Sequence, residues 1–206
     1  MTDNSDNIVL CISGPSGVGK GTVINSLMER FPDFKLSISM TTRKPRGEEK
    51  DGVEYYFCDK EKFKDLIAKN EILEYDIYSD EYYGTPLAPI REGLEQKKDI
   101  VLDITLTGAL EIQKMMPQAI MVFLLPPDME ELEKRLIKRQ TENEKAVKAR
   151  MQHAKDEIIH ASKFEYTLIN DKIDDTINRL EAIILAEKSK YIRQKEHIDS
   201  IITKFQ

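Results

Sequence analysis

The chain has 206 residues, 40% of them hydrophobic and 33% charged, a balance that excludes a disordered, collagen-like or membrane-embedded polypeptide and fits one compact domain with small inserted parts. Its 31 Lys and Arg against 37 Asp and Glu give a net charge of −6, so the molecule as a whole repels polyanions, and neither nucleic acid nor an anionic membrane surface is an expected partner. Any anion it binds must meet a local cationic pocket.

In chain order, the first seven residues, MTDNSDN, are polar and acidic where a secretory signal would be basic and then apolar. Residues 8–13, IVLCIS, form a continuous apolar run rich in β-branched side chains, the pattern of a strand buried on both faces of a parallel sheet. Glycines follow, then GTVINSLMERF over 21–31, where Val23, Ile24, Leu27 and Met28 recur at helical spacing until Phe31 and Pro32 end the helix. Residues 38–88 are rich in Thr, Tyr, Arg and Gly, contain one clear helix around Phe63, Leu66 and Ile67 after a turn at Asp59, and read as a small mixed insertion. IVLDI at 100–104, AIMVFLL at 119–125 and the shorter EYTLI at 165–169 are further buried strands separated by helical pattern. Residues 128–160 open with Asp128 and Glu131 at capping-box spacing and run as charged helix broken near 140–143. From Asp174 onward, apolar residues at 177, 180, 184, 191, 198 and 201 predict one long amphipathic helix with its stripe on the core. The same stripe could serve an oligomer, so monomer and homo-oligomer both stay open.

Strands alternating with helices predict an α/β fold built on a parallel sheet. Cys11 and Cys58 lack CxxC spacing, and His153, His160 and His197 have no partner at ligand spacing, so neither a disulfide framework nor a zinc site is predicted. A cytoplasmic setting is the expectation.

Gly14-Pro15-Ser16-Gly17-Val18-Gly19-Lys20 fits G-x-x-x-x-G-K between a buried strand and a helix, the setting in which that motif cradles phosphate. The loop must fold with its N–H groups inward, which needs backbone angles and close approaches that a Cβ would block. Lys20 supplies charge, and the helix starting there adds its N-terminal donors and dipole. Residues 14–22 are therefore an expected polyphosphate site. Gly21 stands where Ser or Thr normally offers Mg²⁺ a hydroxyl. The metal is thus expected to be held mainly by phosphate oxygens and water, with Thr22 or Asp103, at the end of its strand, nearby.

A second anion site is expected at Thr41-Thr42-Arg43-Lys44-Pro45-Arg46, where Pro45 stiffens a stretch carrying two arginines, with Gly47, Glu48 and Glu49 after it. Downstream, Gly52, Tyr55, Glu74 and Tyr82-Tyr83-Gly84-Thr85 supply hydroxyls for a phosphate and a carboxylate able to accept from the N–H edge of a base. From TTRKPR through EYYF, ILEY and YYGT, and with GPSGVGKGT, the chain resembles guanylate kinase, a nucleoside monophosphate kinase of the P-loop superfamily, from about Ile8 to about Ala186. The resemblance implies a P-loop kinase core over 1–37, 89–127 and 161–206, an inserted mixed α/β GMP-binding subdomain over 38–88, and a helical lid over 128–160. It implies transfer of the γ-phosphoryl group of ATP to GMP, and to dGMP, with Mg²⁺. Ser39, Glu74 and Thr105 would face guanine, Arg43, Arg46, Tyr55 and Tyr83 would hold the GMP phosphate, and Glu49, Thr85 and Asp103 would line the same pocket. In the lid, Arg135, Arg139 and Arg150 match arginines that close on the transferring group beside Lys20 and Arg43, and Asn170-Asp171 match the loop near adenine.

The chain departs from the family pattern at Thr105, where a second carboxylate is usual, so guanine selection would lean on Glu74 and Ser39. The shifted glycine in Gly47-Glu48-Glu49 leaves the pocket glutamate between Glu48 and Glu49, with Asp51-Gly52 favouring Glu49, and Gln140 replaces a lid glycine. The competing readings are a related kinase of another phosphorylated small molecule, opposed by Ser39, Glu74 and both tyrosines, and a phosphopeptide-binding module, which would have lost Gly14, Gly19, Lys20 and the lid arginines. A nucleic-acid-dependent ATPase fits the net charge poorly.

Overall fold

The computed structural model describes residues 7–78, 80–138 and 144–204. The first apolar run becomes β1 (Val9–Ser13), and the glycine loop after it leads into α1 (Lys20–Arg30). Next come β2 (Phe34–Ser37), β3 (Met40–Thr41), β4 (Tyr56–Phe57), α2 (Lys60–Ala68), β5 (Ile72–Tyr78) and β6 (Glu81–Pro86), then α3 (Leu87–Glu95), β7 (Asp99–Asp103), α4 (Leu106–Met115) and β8 (Ile120–Leu125). α5 (Met129–Lys138), α6 (Glu144–Ile158), a 3-10 turn at Ala161–Lys163, β9 (Tyr166–Ile169), α7 (Ile173–Lys188) and α8 (Tyr191–Thr203) follow.

Five strands form an all-parallel sheet in the order β2-β7-β1-β8-β9. The run at 8–12 is apolar throughout because both faces are covered. Ile8, Leu10 and Ile12 pack with Val23, Ile24 and Leu27 of α1 and Ile177, Leu180 and Ile184 of α7, whereas Val9 and Cys11 pack with Ile90 of α3 and Ala109 and Ile112 of α4. Successive strand residues point to opposite faces, so one sequence run serves two cores. The carboxyl ends of β1, β7 and β2 thereby open on one edge, where ligands of open parallel sheets bind.

Residues 38–88 carry a second sheet, β4-β3-β6-β5, in which β3 runs parallel to β4 and antiparallel to β6. Met40, Phe63 and Ile72 form its small core, and α2 starts where Asp59 accepts from the Lys62 N–H at 2.7 Å, a capping bond. α5 and α6 share an apolar cluster of Leu132, Leu136, Val147 and Ala154. The expected break near 140–143 lies outside the described residues.

Three expectations change. Asp128 caps α5 by accepting from the Glu131 N–H at 2.7 Å, but the Glu131 carboxylate turns to Arg135 Nε at 2.9 Å instead of completing the capping box. β2 was not among the predicted strands, since its FKLS pattern is only partly apolar, as suits an edge strand. The long C-terminal helix is two helices. α7 closes at Ser189, and Lys190 is extended at φ −61°, ψ 138°. The apolar stripe is buried only in α7, since Tyr191 is 65% and Ile201 45% exposed. What anchors α8 is buried Arg193, which donates to the Gln118 carbonyl at 2.7 Å. No helix among the described residues is long and apolar enough to cross a membrane.

Candidate active site

The loop between β1 and α1 owes its shape to its glycines. Gly19 caps α1 at φ +100°, a left-handed conformation, and a Cβ there would lie 2.7 Å from Asn170 Nδ2, so both the backbone angle and the space demand glycine. Asn170, buried at the end of β9, donates from Nδ2 to the Val18 carbonyl at 2.8 Å. Its own Oδ1 accepts from Thr176 Oγ1 at 3.0 Å. Thr176 was not predicted, although a threonine six residues beyond Asn170 in the first turn of the next helix is the signal that could have found it. Lys20 Nζ donates to the Gly14 carbonyl at 3.0 Å and lies 3.9 Å from Asp103 Oδ1.

Lys20 and Asp103 also line one end of a cleft of about 270 Å³, whose walls include Ser37, Ser39, Tyr55 and Thr105. β7 delivers Asp103 and Thr105 to the sheet edge, β2 delivers Ser37 and leads to Ser39, and the segment before β4 delivers Tyr55. Burial raises the Asp103 carboxyl above its ordinary value of 3.8, and Lys20 opposes the shift. The Ser37 hydroxyl is buried without a hydrogen-bond partner among the described residues. It escaped the sequence reading although it sits two residues before Ser39, on the same face of an extended segment.

Beside this cleft, Arg43 is buried and forks onto Glu49, with Nη1 to Oε2 at 2.7 Å and Nη2 to Oε1 at 2.8 Å. Glu49, and not Glu48, is thus the glutamate that pairs with Arg43. The hydrogen bonds from Arg43, helped by the Arg46 backbone N–H at 2.8 Å, hold the Glu49 carboxyl down to about 2. The Arg43 guanidinium lies over the Tyr55 ring at 5.1 Å, and Tyr55 meets Tyr83 edge to face at 6.1 Å. Arg46 is exposed in the same turn. These groups gather positive charge and hydroxyls at one point, a chemistry suited to a terminal phosphate.

Glu74 reaches this region from β5, where Thr85 Oγ1 donates to its Oε1 at 2.6 Å. Its Oε2 lies against α4 so closely that a Cβ on Gly108 would stand 2.5 Å away. Burial pushes its carboxyl above the ordinary 4.5, with the Thr85 hydrogen bond pulling back. Thr105 Oγ1 accepts from the Gly108 N–H at 3.2 Å and caps α4. Its hydroxyl therefore has a structural duty that the sequence reading did not assign, while its O–H remains able to donate.

The three arginines expected in a lid fall in different places. Arg135 Nη1 donates to the Asn170 carbonyl at 2.9 Å and reaches the Val18 carbonyl at 3.4 Å, so it ties α5 to the loop backbone and to the end of β9. Arg150 lies half-buried on α6, and Arg139 lies outside the described residues. Asp171 follows Asn170 in the turn before α7.

For a metal, the protein offers oxygen donors sparingly. Among the described residues no cluster of three or more His, Cys, Asp or Glu could hold an ion, Thr22 is exposed in the first turn of α1, and the space about Gly21 is open. One carboxylate, Asp103, beside a phosphate loop is a donor set that fits a cation arriving with nucleotide phosphates, the habit of Mg²⁺.

Residues 6–187 match the guanylate kinase family. The chain is 41% identical over 195 residues to guanylate kinase of Clostridium perfringens (strain SM101 / Type A), covering 95% of this chain and 90% of the relative. It is 44% identical over 193 residues to that of Latilactobacillus sakei subsp. sakei (strain 23K), covering 93% and 94%. Among solved structures, guanylate kinase from Anaplasma phagocytophilum superposes with a TM-score of 0.74 at 32% identity, covering 92% of this chain and 90% of that one.

Proposed function

Because the chain belongs to the guanylate kinase family, and is a kinase that passes the γ-phosphoryl group of ATP to GMP, we propose that it does so with the donor on residues 14–22 and the acceptor against the second sheet. The observation that carries this reading is the shared cleft: Lys20 and Asp103 line one end of the cavity that Ser39, Tyr55 and Thr105 also line. Residues 38–88 act as the GMP-binding part, residues 128–160 as the lid, and the remainder as the core. dGMP is a second acceptor, and a cytoplasmic setting is part of the proposal.

Phosphoryl transfer needs little covalent work from a protein, so positioning and charge do most of it. Lys20 and the loop N–H groups hold the donor phosphates, and Asn170 holds the loop beside the adenine side. Arg43 and Arg46 with the Tyr55 and Tyr83 hydroxyls fix the GMP phosphate, Glu49 keeping the Arg43 fork in its plane. Glu74, with Ser39, accepts from and orients the guanine edge, Thr85 steering its carboxylate, while Thr105 offers an uncharged O–H. The acceptor is already an anion, so no general base is required. Arg135, Arg139 and Arg150 complete the charge when the lid closes and water is shut out. Guanylate kinases generally need a divalent metal, and here Mg²⁺ would be held by phosphate oxygens with Asp103 and Thr22 at hand through water, neutralising phosphate charge.

Coupled assay of ADP formation with GMP, dGMP, AMP, UMP, CMP and no acceptor tests the reading. Turnover confined to GMP and dGMP is expected. Equal turnover with another base would show that Glu74 does not select guanine, and turnover with none would sink the proposal.

A further inference from the structure

The Val18 carbonyl is where the rest of the fold takes hold of the phosphate loop. It accepts from Asn170 Nδ2 at 2.8 Å and from Arg135 Nη1 at 3.4 Å. A peptide unit is planar, and in its trans form the carbonyl and the N–H point in opposite directions. The Val18–Gly19 bond is trans, so pinning the Val18 oxygen toward Asn170 turns the Gly19 N–H away from it. Gly19 caps α1, and its N–H is therefore one of those that no carbonyl of the helix satisfies and that an anion at a helix start can use.

The Asn170 carboxamide can grip Val18 only with its nitrogen, since its oxygen accepts and never donates. Its other end must then be satisfied inside the protein, because Asn170 is 6% exposed and Thr176 fully buried. Thr176 Oγ1 lies 3.0 Å from Asn170 Oδ1, and of these two oxygens only the hydroxyl carries a proton. The same Oγ1 stands 3.1 Å from the Lys172 carbonyl and 3.4 Å from that of Ile169. Its neighbours are thus all acceptors, with Oδ1 the nearest. The contact has no slack on the loop side either, since a Cβ on Gly19 would lie 2.7 Å from Nδ2.

Resting on the phosphate-loop reading given above, we propose that Thr176 is a positioning residue for the donor site. By supplying the proton that the buried Asn170 oxygen needs, it keeps the carboxamide nitrogen on Val18 and so fixes the direction of the Gly19 N–H. Without the hydroxyl, Oδ1 is a buried acceptor with no donor among the described residues, a state relieved only by turning or withdrawing the carboxamide. Either movement frees the Val18–Gly19 peptide. Thr176 sits in the first turn of α7 and acts on the loop only through Asn170.

Thr176→Val keeps the shape and removes the hydroxyl, and Thr176→Ser keeps the hydroxyl and removes the methyl. Asn178→Ala is the control, an exposed neighbour on α7 whose Oδ1 accepts from Arg30 Nη1 of α1 at 2.7 Å, so that its loss loosens α7 without touching Asn170. In titration calorimetry on the full chain, ADP and inorganic pyrophosphate are expected to bind Thr176→Val about threefold to tenfold more weakly than wild type, the effect of one hydrogen bond. Thr176→Ser should recover most of that affinity, Asn178→Ala should match wild type, and GMP should bind all four proteins alike. The same factor should appear in KM for ATP and not in KM for GMP. Unchanged ADP binding by Thr176→Val with GMP affinity intact overturns the proposal while leaving the phosphate-loop reading in place, as does a loss that Thr176→Ser fails to recover or that Asn178→Ala shares. If Thr176→Val also loses GMP affinity, Thr176→Ala decides by the same comparison. Failure of wild type and variants alike to bind ADP means that the phosphate-loop reading itself is wrong, and this inference falls with it.

Discussion

The two phosphate sites proposed above, the loop between β1 and α1 and the group around Arg43, are built by opposite means. At the donor end, residues 14–20 are contiguous, and the motif makes its own cradle from backbone N–H groups, with one lysine added. At the proposed acceptor end, Arg43, Glu49, Tyr55, Glu74, Tyr83 and Thr85 are spread over residues 43–85 and are brought together by the second sheet and the segments that flank its strands. A contiguous site depends on local backbone angles. An assembled one depends on register and packing, and so can be damaged from elsewhere in the fold.

The largest expected effect tests whether the two ends are separable. Lys20→Met should lower kcat by about 10²–10³-fold, as loss of a fixed transition-state charge does, while calorimetry shows GMP affinity unchanged. A parallel loss of GMP affinity would break the comparison. Next in size is Gly108→Ala, 34 residues from Glu74 in the chain. The added Cβ, 2.5 Å from Glu74 Oε2, must push the carboxylate aside, and KM for GMP should rise by about tenfold or more, the worth of a charged hydrogen bond, with KM for ATP unmoved.

A gentler probe is pH, because two carboxylates of the inserted segment, Glu49 and Glu74, shift in opposite directions. Glu49 is held down to about 2 by Arg43, so what that pair adds to folding is fully present above the ordinary 4.5 and is lost as pH falls toward 2. Glu74 is raised above 4.5 by burial, so it takes up a proton earlier and ceases to accept from a base N–H. KM for GMP should therefore begin to climb on acidification while the sheet is still folded, and Glu74→Gln should remove that limb of the profile. Smallest in its effect on turnover is Arg193→Ala. It removes the buried anchor of α8 and its bond to Gln118, which should lower unfolding free energy by about 1–3 kcal/mol and leave both KM values alone. A kinetic change would show that α8 communicates with the site.

Legibility followed the same division. The strand, glycine loop and helix of the donor end could be read directly, because a run buried on both faces has no alternation to confuse and the glycines announce the positive φ angles. Arg43, Tyr55 and Glu74 were readable only through their resemblance to a family. Considered singly they are a buried arginine, a loop aromatic and a strand carboxylate. The duty of Thr105 as a cap and the orphan hydroxyl of Ser37 had no local signature. The C-terminal stripe was misread for a related reason. Its periodicity continues through 189–190, but α8 is held by Arg193, a residue that hydropathy assigns to solvent.

By itself, then, the amino-acid order determined the parallel α/β core, the phosphate loop and the polar insertion, since each depends on interactions within a few residues of chain: side-chain periodicity, glycine backbone freedom, a helix dipole. Tertiary structure alone decided which glutamate grips Arg43, which glycine makes room for Glu74 and where the last helix turns. Those outcomes depend on distances between segments far apart in the chain, and such distances exist only once the two sheets and their helices have packed.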